Sequence, residues 1–301
     1  MHGSIPNAEA VSAACGVTSH ALVEATLAEM PGLRDQPVPE GVPALPSRFL
    51  RHSDEQTVVG IRAVLAAIAA HPEPRPTFAD YAVVAAPCQA GRIATAQSLA
   101  MLRTAGGVAV SPHIVPQCSL HSLAGAVSVA LGMHGPNIGT SGGEHAVSEG
   151  LITSISLLAA NRATGSSPPG IWLVVSGWTQ EPLLDATGKP DCSPVTDARS
   201  RPICRAVAVA LTADASAAVD TASDRQLSLH MPAAIRVARS TARQRGAADE
   251  ILDFAKALAA GPAASWSHTC PWGAEIRLTN RDAVASCEWS TPRGTPRREA
   301  A

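Results

Sequence analysis

Residues Ser111 to Gly150, SPHIVPQCSLHSLAGAVSVALGMHGPNIGTSGGEHAVSEG, decide how this chain is read. From Gln117 to Met133 small and apolar residues dominate, and Gly135-Pro136 closes the run as a helix terminus does, so the segment reads as a buried helix. Asn137 to Ser141 is then a short strand candidate and Gly142-Gly143 a tight turn. Glu144 to Ala160 follows as a helix with Val147, Leu151, Ile155 and Leu158 on one stripe. This succession of strand, glycine turn and helix start places a side chain at the positive end of a helix dipole, among N–H groups without intrahelical partners. Nucleophiles and anions are often held there.

Upstream, Pro31, Pro37, Pro39, Pro43 and Pro46 forbid regular structure between residues 31 and 47, and residues 1–47 as a whole read as an irregular lead-in. Ser53 and Gln56 have capping-box spacing, and Val58, Ile61, Leu65 and Ile68 recur on one face until Pro72, which predicts a helix. Asp80 to Pro87 is short and apolar without polar alternation, as in a strand buried on both faces, and a helix is expected over Arg92 to Thr104. Downstream, Ile171 to Ser176 and Arg205 to Thr212 read as strands, as do Leu227 to His230 and Glu275 to Thr279, with a helix over Ala247 to Ala260. Strands alternating with amphipathic helices imply an α/β fold with a mainly parallel sheet covered on both faces.

The 301 residues, 46% hydrophobic, suffice for a sizeable core, and 25 acidic against 23 basic residues create no field that would steer the protein to nucleic acid or an anionic membrane. No apolar run approaches the length of a bilayer span, and the start lacks the pattern of a signal peptide; a cytoplasmic protein is expected. Seven scattered Cys without a CxxC pair argue against a disulfide framework and a zinc ribbon. His113, Cys118 and His121 match no usual metal-ligand spacing, so neither metal nor cofactor is expected.

Two chemistries fit the central stretch. Gly139-Thr140-Ser141-Gly142-Gly143 satisfies the G-x-S-x-G nucleophile elbow, with Asp185, Asp191, Asp197 or Asp214 and His230 or His268 available downstream, although no HGGG-like oxyanion segment lies upstream. The second rests on several features in order: Ser111-Pro112, Val115-Pro116, Ala124-Gly125, Ser128, Leu131-Gly132 and Gly135-Pro136-Asn137-Ile138. Together they resemble the approach to the active-site cysteine in the β-ketoacyl synthases of the thiolase-like superfamily. The resemblance extends over about residues 45 to 215.

That resemblance implies a thiolase-like layered fold, with a ketosynthase-like first half at 1–215 and a shortened second half at 216–290, while the Pro- and Arg-rich composition of 291–301 reads as a disordered tail. The family's nucleophilic cysteine would fall seven residues after Asn137, where this chain has Glu144. A carboxylate is a poor nucleophile and would give a labile anhydride, so covalent condensation is not expected. The family's two histidines sit in glycine-rich contexts unlike those of His230 and His268. The chain therefore resembles a chain length factor, the silent partner of an active ketosynthase in type II polyketide or polyene synthases. Resemblance implies a heterodimer with a ketosynthase, an acyl carrier protein as indirect partner, and no catalytic residue.

Tunnel or interface candidates are Cys118, Leu120, His121, Leu123, Pro136, Asn137, Ile138, Gly142 and Gly143. Glu144 also has a plain explanation, since a carboxylate in a first helical turn is favoured by the dipole by about 0.3–1 kcal/mol. A malonyl-carrier-protein decarboxylase using Glu144 is the alternative enzyme within the same family. Arg225, Arg236, Arg239, Arg243 and Arg245 are candidates for receiving an acidic carrier protein, or simply a solvated face. Trp172, Trp178, Trp266, Trp272 and Trp289 read as core and interface packing.

Overall fold

The computed structural model describes residues 11–46, 48–140, 142–164, 168–190, 201–213, 225–232, 246–260 and 265–280. Among these residues eight strands form one sheet: β1 (Val11–Thr26), β2 (Ala82–Pro87), β3 (Asn137–Gly139), β4 (Gly170–Trp178), β5 (Ile203–Thr212), β6 (Arg225–Met231), β7 (Trp266–Thr269) and β8 (Glu275–Asn280), in the order β3-β2-β4-β5-β1-β6-β8-β7. Only β3, β2 and β4 run parallel; the other five pairings are antiparallel. The expected mainly parallel sheet is thus corrected to a mixed one. The physical reason is that β5 returns beside β4 antiparallel, with no crossover helix between them among the described residues.

The helices are α1 (Met30–Asp35), α2 (Glu55–Ala69), α3 (Arg92–Ala105), α4 (Ile114–Cys118), α5 (Ser122–Leu131), α6 (Ala146–Thr164) and α7 (Ala247–Ala259). They cover both faces of the sheet. Along β4 all nine residues are buried, and the side chains alternate: Ile171, Leu173 and Val175 meet α6 and α7, while Trp172 and Val174 meet α2 and α5. The stripe Val147, Leu151, Ile155 and Leu158 lies in the first of these layers, each side chain contributing about 1.5–3 kcal/mol through burial. Trp172 anchors the second layer, with Phe78 edge-on to it at 5.2 Å and to Tyr81 at 5.1 Å.

Residues 11–26 overturn the irregular lead-in. They form the longest strand, buried between β5 and β6. A register shift between Val17 and Ser19 makes the pattern hard to see. Before it, Ala13, Cys15 and Val17 face the α6–α7 layer; after it, Ala21, Val23 and Ala25 face the α2 layer. The bulge moves the odd-numbered side chains from one covered face of the sheet to the other, so the strand serves both core layers in turn.

The segment 117–133 is also corrected: it is two helices with a break at Ser119–His121, and Leu120 and Val129 are exposed. After β5, the described chain adds three strands and α7, joined to the rest through β6 pairing with β1. The tail at 291–301 lies outside the described residues. Among the described residues no helix is long and apolar enough to cross a membrane.

Candidate functional site

The parallel strands β2 and β4 and the short β3 end together beside the start of α6. In an α/β sheet, the loops beyond the carboxyl ends of parallel strands form a crevice fixed by the strands themselves. Here Cys88 N donates to Ser176 O at 2.7 Å, and Gln89 N donates to Gly142 O at 3.1 Å, so the loop after β2 is tied to the loops after both neighbours. Gln56, buried on α2, donates from Nε2 to Cys88 O at 2.7 Å and accepts from Ser176 Oγ at 2.9 Å.

Glu144 is exposed just before α6, outside its first hydrogen-bonded residue, Ala146. His145 closes the first turn: its carbonyl accepts from Glu149 N at 2.9 Å and from Ser148 Oγ at 3.0 Å. Its Nδ1 is buried without a hydrogen-bond partner, as is Nε2 of His268 on β7. Burial, and then the nearby charge of His145, lower the pKa of His268. The structure thus brings to the α6 terminus a histidine that its sequence context, SWSHTCPWG, did not distinguish. Its position follows from the β7–β8 hairpin, which reaches the rest of the sheet through β8 pairing with β6.

Cys88 is the thiol at this crevice. Burial pushes its pKa up to about 11, and the negative charges of Glu181, Glu144 and Glu250 act in the same direction, against Arg92. A thiol so placed stays protonated at neutral pH and is no nucleophile. Among the described residues no group of three or more His, Cys, Asp and Glu could hold a metal ion.

The interface candidates divide. Cys118 ends α4, and a side chain on Gly91 would come within 2.6 Å of its Cα. Leu120 lies over the turn after β3: a Cβ on Gly139 would fall 2.7 Å from the Leu120 carbonyl carbon, and one on Gly142 would meet Leu120 Cδ2 at 3.0 Å. Gly142 takes φ +117°, the left-handed half of the map that glycine tolerates. His121 is exposed at the start of α5, where its carbonyl accepts from Gly125 N at 2.9 Å. Pro136 and Gly143 are exposed as well, Asn137 and Ile138 half-buried on the edge strand. Leu123 stands apart. It is buried against Gly60 of α2 in the core layer.

The hydrolase constellation does not assemble among the described residues. Ser141, Asp191, Asp197 and Asp214 lie outside them. Asp185 is engaged in its own turn, accepting from Thr187 N and Lys189 N, and His230 pairs with Ser12 Oγ at 2.9 Å on β6, five strands from β3. At about 4.8 Å per strand that is roughly 24 Å away. Arg225 is no docking residue: it is buried and donates to the Ala257 and Leu258 carbonyls at the end of α7. Arg236, Arg239, Arg243, Arg245 and Trp289 lie outside the described residues.

No protein-family model and no curated protein sequence matches the chain. Solved structures do. The complex of a ketosynthase with its chain length factor from Xenorhabdus doucetiae matches over 88% of this chain and 99% of that one, with TM-score 0.51 and 12% identity. The ishigamide ketosynthase/chain length factor gives TM-score 0.54 at 14% identity, over 88% and 98% of the two chains. A type II polyketide acyl-carrier protein in complex with its hexaketide-bound ketosynthase gives 0.53 at 12%, over the same shares. This chain has the thiolase-like ketosynthase fold. The expected α/β layered architecture is therefore borne out, with strand directions mixed as described.

The segment from α3 to α5 carries most of the exposed large apolar side chains of the described residues. Leu99, Met101, Leu102, Val108, Val115, Leu120 and Val129 are exposed on α3 to α5, and among the described residues only Leu183 adds another exposed large hydrophobic side chain. Val108 is fully open and Val115 is 74% exposed. Beside this face, β3 hydrogen-bonds only β2 and forms the edge of the sheet.

Proposed function

We propose that this chain is the non-condensing, chain length factor-type partner of a ketosynthase in a type II polyketide or polyene synthase. The observation that carries the reading is the apolar face of α3 to α5 beside the open edge of β3. A monomer seldom exposes such a surface, and a strand edge invites pairing with another chain. A ketosynthase subunit is the occupant we assign to it, because complexes of ketosynthases with chain length factors or an acyl-carrier protein share the fold.

The chemistry of the crevice agrees. Glu144 stands where the resemblance places a cysteine, and Cys88 is held as the thiol. The carboxylates of Glu144, Glu181 and Glu250 oppose an anionic malonyl group, which disfavours the decarboxylase alternative. On this reading Cys118, Leu120 and His121 shape the partner's acyl tunnel or the seam beside it, and the carrier protein delivers its cargo to the ketosynthase in the cytoplasm.

The test is co-expression with a ketosynthase. A one-to-one complex in size exclusion with light scattering, together with no condensation by the isolated chain, is the expected result. Condensation of malonyl units by the isolated chain overturns it.

A further inference from the structure

The hinge from β2 into α3 is held from below by side chains of α2, a helix otherwise committed to the core. Asp54 is buried, and its two carboxylate oxygens do different things: Oδ1 accepts from Thr57 N at 2.9 Å and caps α2, while Oδ2 accepts from Gly91 N at 3.2 Å in the hinge. Gln56, two residues on, grips the same hinge at Cys88 O. The hinge bends through two left-handed residues, Gln89 at φ +53° and Gly91 at φ +69°. A non-glycine residue in that conformation persists only where surrounding bonds fix it.

Beyond the hinge the chain stands off the sheet. Only Ile93 of α3 is buried, and no residue of α4 is. Among its anchors is Cys118 at the end of α4, packed directly on Gly91. A line of contact therefore runs from the cap of α2 through Gly91 to Cys118, and the orientation of the exposed apolar face depends on it.

We infer that Asp54 and Gln56 are positioning residues that set the stance of the α3–α4 face for docking. The inference rests on the proposed function for what docks there, a ketosynthase subunit. It assigns these two buried residues, the cap of α2 and a residue of its first turn, an effect on a surface they do not reach.

Asp54→Asn tests it in the full chain. Asn caps a helix as well as Asp does, so α2 keeps its start, but one of the two backbone N–H groups loses its acceptor. In the isolated chain, amide exchange at residues 89–93 and 114–118 should quicken about tenfold or more, and N-ethylmaleimide should label Cys118 faster by a similar factor. Affinity for the co-expressed ketosynthase should fall by at least about tenfold. Gln56→Met, which keeps the bulk but removes the amide, should give the same pattern and serves if the first variant does not fold. Changes confined to the first turn of α2, or a loosened α3–α4 segment with unaltered affinity, would overturn the inference. Failure of the unsubstituted chain to pair contradicts the proposed function instead, and is told apart because the isolated-chain exchange pattern does not depend on a partner.

Discussion

Two glycines at the end of β3 and the turn after it, with a third in α5 as a control, make a graded test of how that turn is packed. Gly139→Ala places a Cβ 2.7 Å from the carbonyl carbon of Leu120 and 2.8 Å from the Cα of His121. Both are backbone atoms and cannot rotate aside, so β3 and the α4–α5 junction must separate. Overpacking of this kind costs about 1–3 kcal/mol. For a domain of this size that is a fall in Tm of roughly 2–12 °C. Gly143→Ala meets nothing within 4 Å and should be near neutral. Gly125 lies within α5 with only the His121 ring at 3.7 Å, an ordinary contact, so Gly125→Ala should stabilise by about 0.5–1 kcal/mol through helix propensity. Scanning fluorimetry and urea unfolding of the isolated chain would order the variants Gly125→Ala, Gly143→Ala, Gly139→Ala from most to least stable. A wild-type Tm for Gly139→Ala would refute the packing of Leu120 on the turn.

Val108→Asp and Val115→Asp touch exposed positions, so the isolated chain should change by less than about 0.5 kcal/mol, whereas pairing with the ketosynthase should weaken more than tenfold, read by titration calorimetry. Unaltered pairing would remove this face from the interface. His20, through burial and Arg225, and His268, through burial and His145, both have lowered pKa values in the folded chain. Their contribution to stability is therefore complete above the unfolded value of about 6.5 and is lost as pH falls below it towards the folded values. Urea midpoints should decline from pH 7 towards pH 5.5, and His268→Gln should flatten part of that decline; an unchanged slope would contradict the placement of His268. Cys88, held at about 11 against an ordinary 9.0, should carry roughly 100-fold less thiolate at neutral pH than a free thiol. Mass-spectrometric kinetics of iodoacetamide labelling should show that lag, and labelling at the rate of an exposed cysteine would contradict it.

The sequence was most legible where one period ran unbroken. The stripe from Val147 to Leu158, the all-apolar strand ending at Pro87 and the helix before Pro72 all appear where their residues predict them. Even there the cap moved by one residue, because Asp54 can reach both Thr57 and Gly91 and takes the role given to Ser53. Residues 11–26 were illegible because both faces of the strand are covered, with the bulge at Thr18 handing the odd-numbered side chains from one core layer to the other, so no clean apolar/polar alternation marks it. The break at Ser119–His121 was hidden by uniformly small residues that suit one helix or two. Of the site, the turn and helix start were visible as glycine and cap chemistry. The effect of the His145 charge on His268, and the grip of Gln56 on Cys88 and Ser176, link residues from 32 to about 120 positions apart, so no local pattern encodes them.

Intact-protein mass spectrometry of the working complex tests the central claim most directly. With malonyl-loaded carrier protein supplied and turnover trapped by acid, acyl mass should be found on the ketosynthase subunit while this chain keeps its unmodified mass. An acyl adduct on this chain, at Glu144 or any cysteine, would contradict the account.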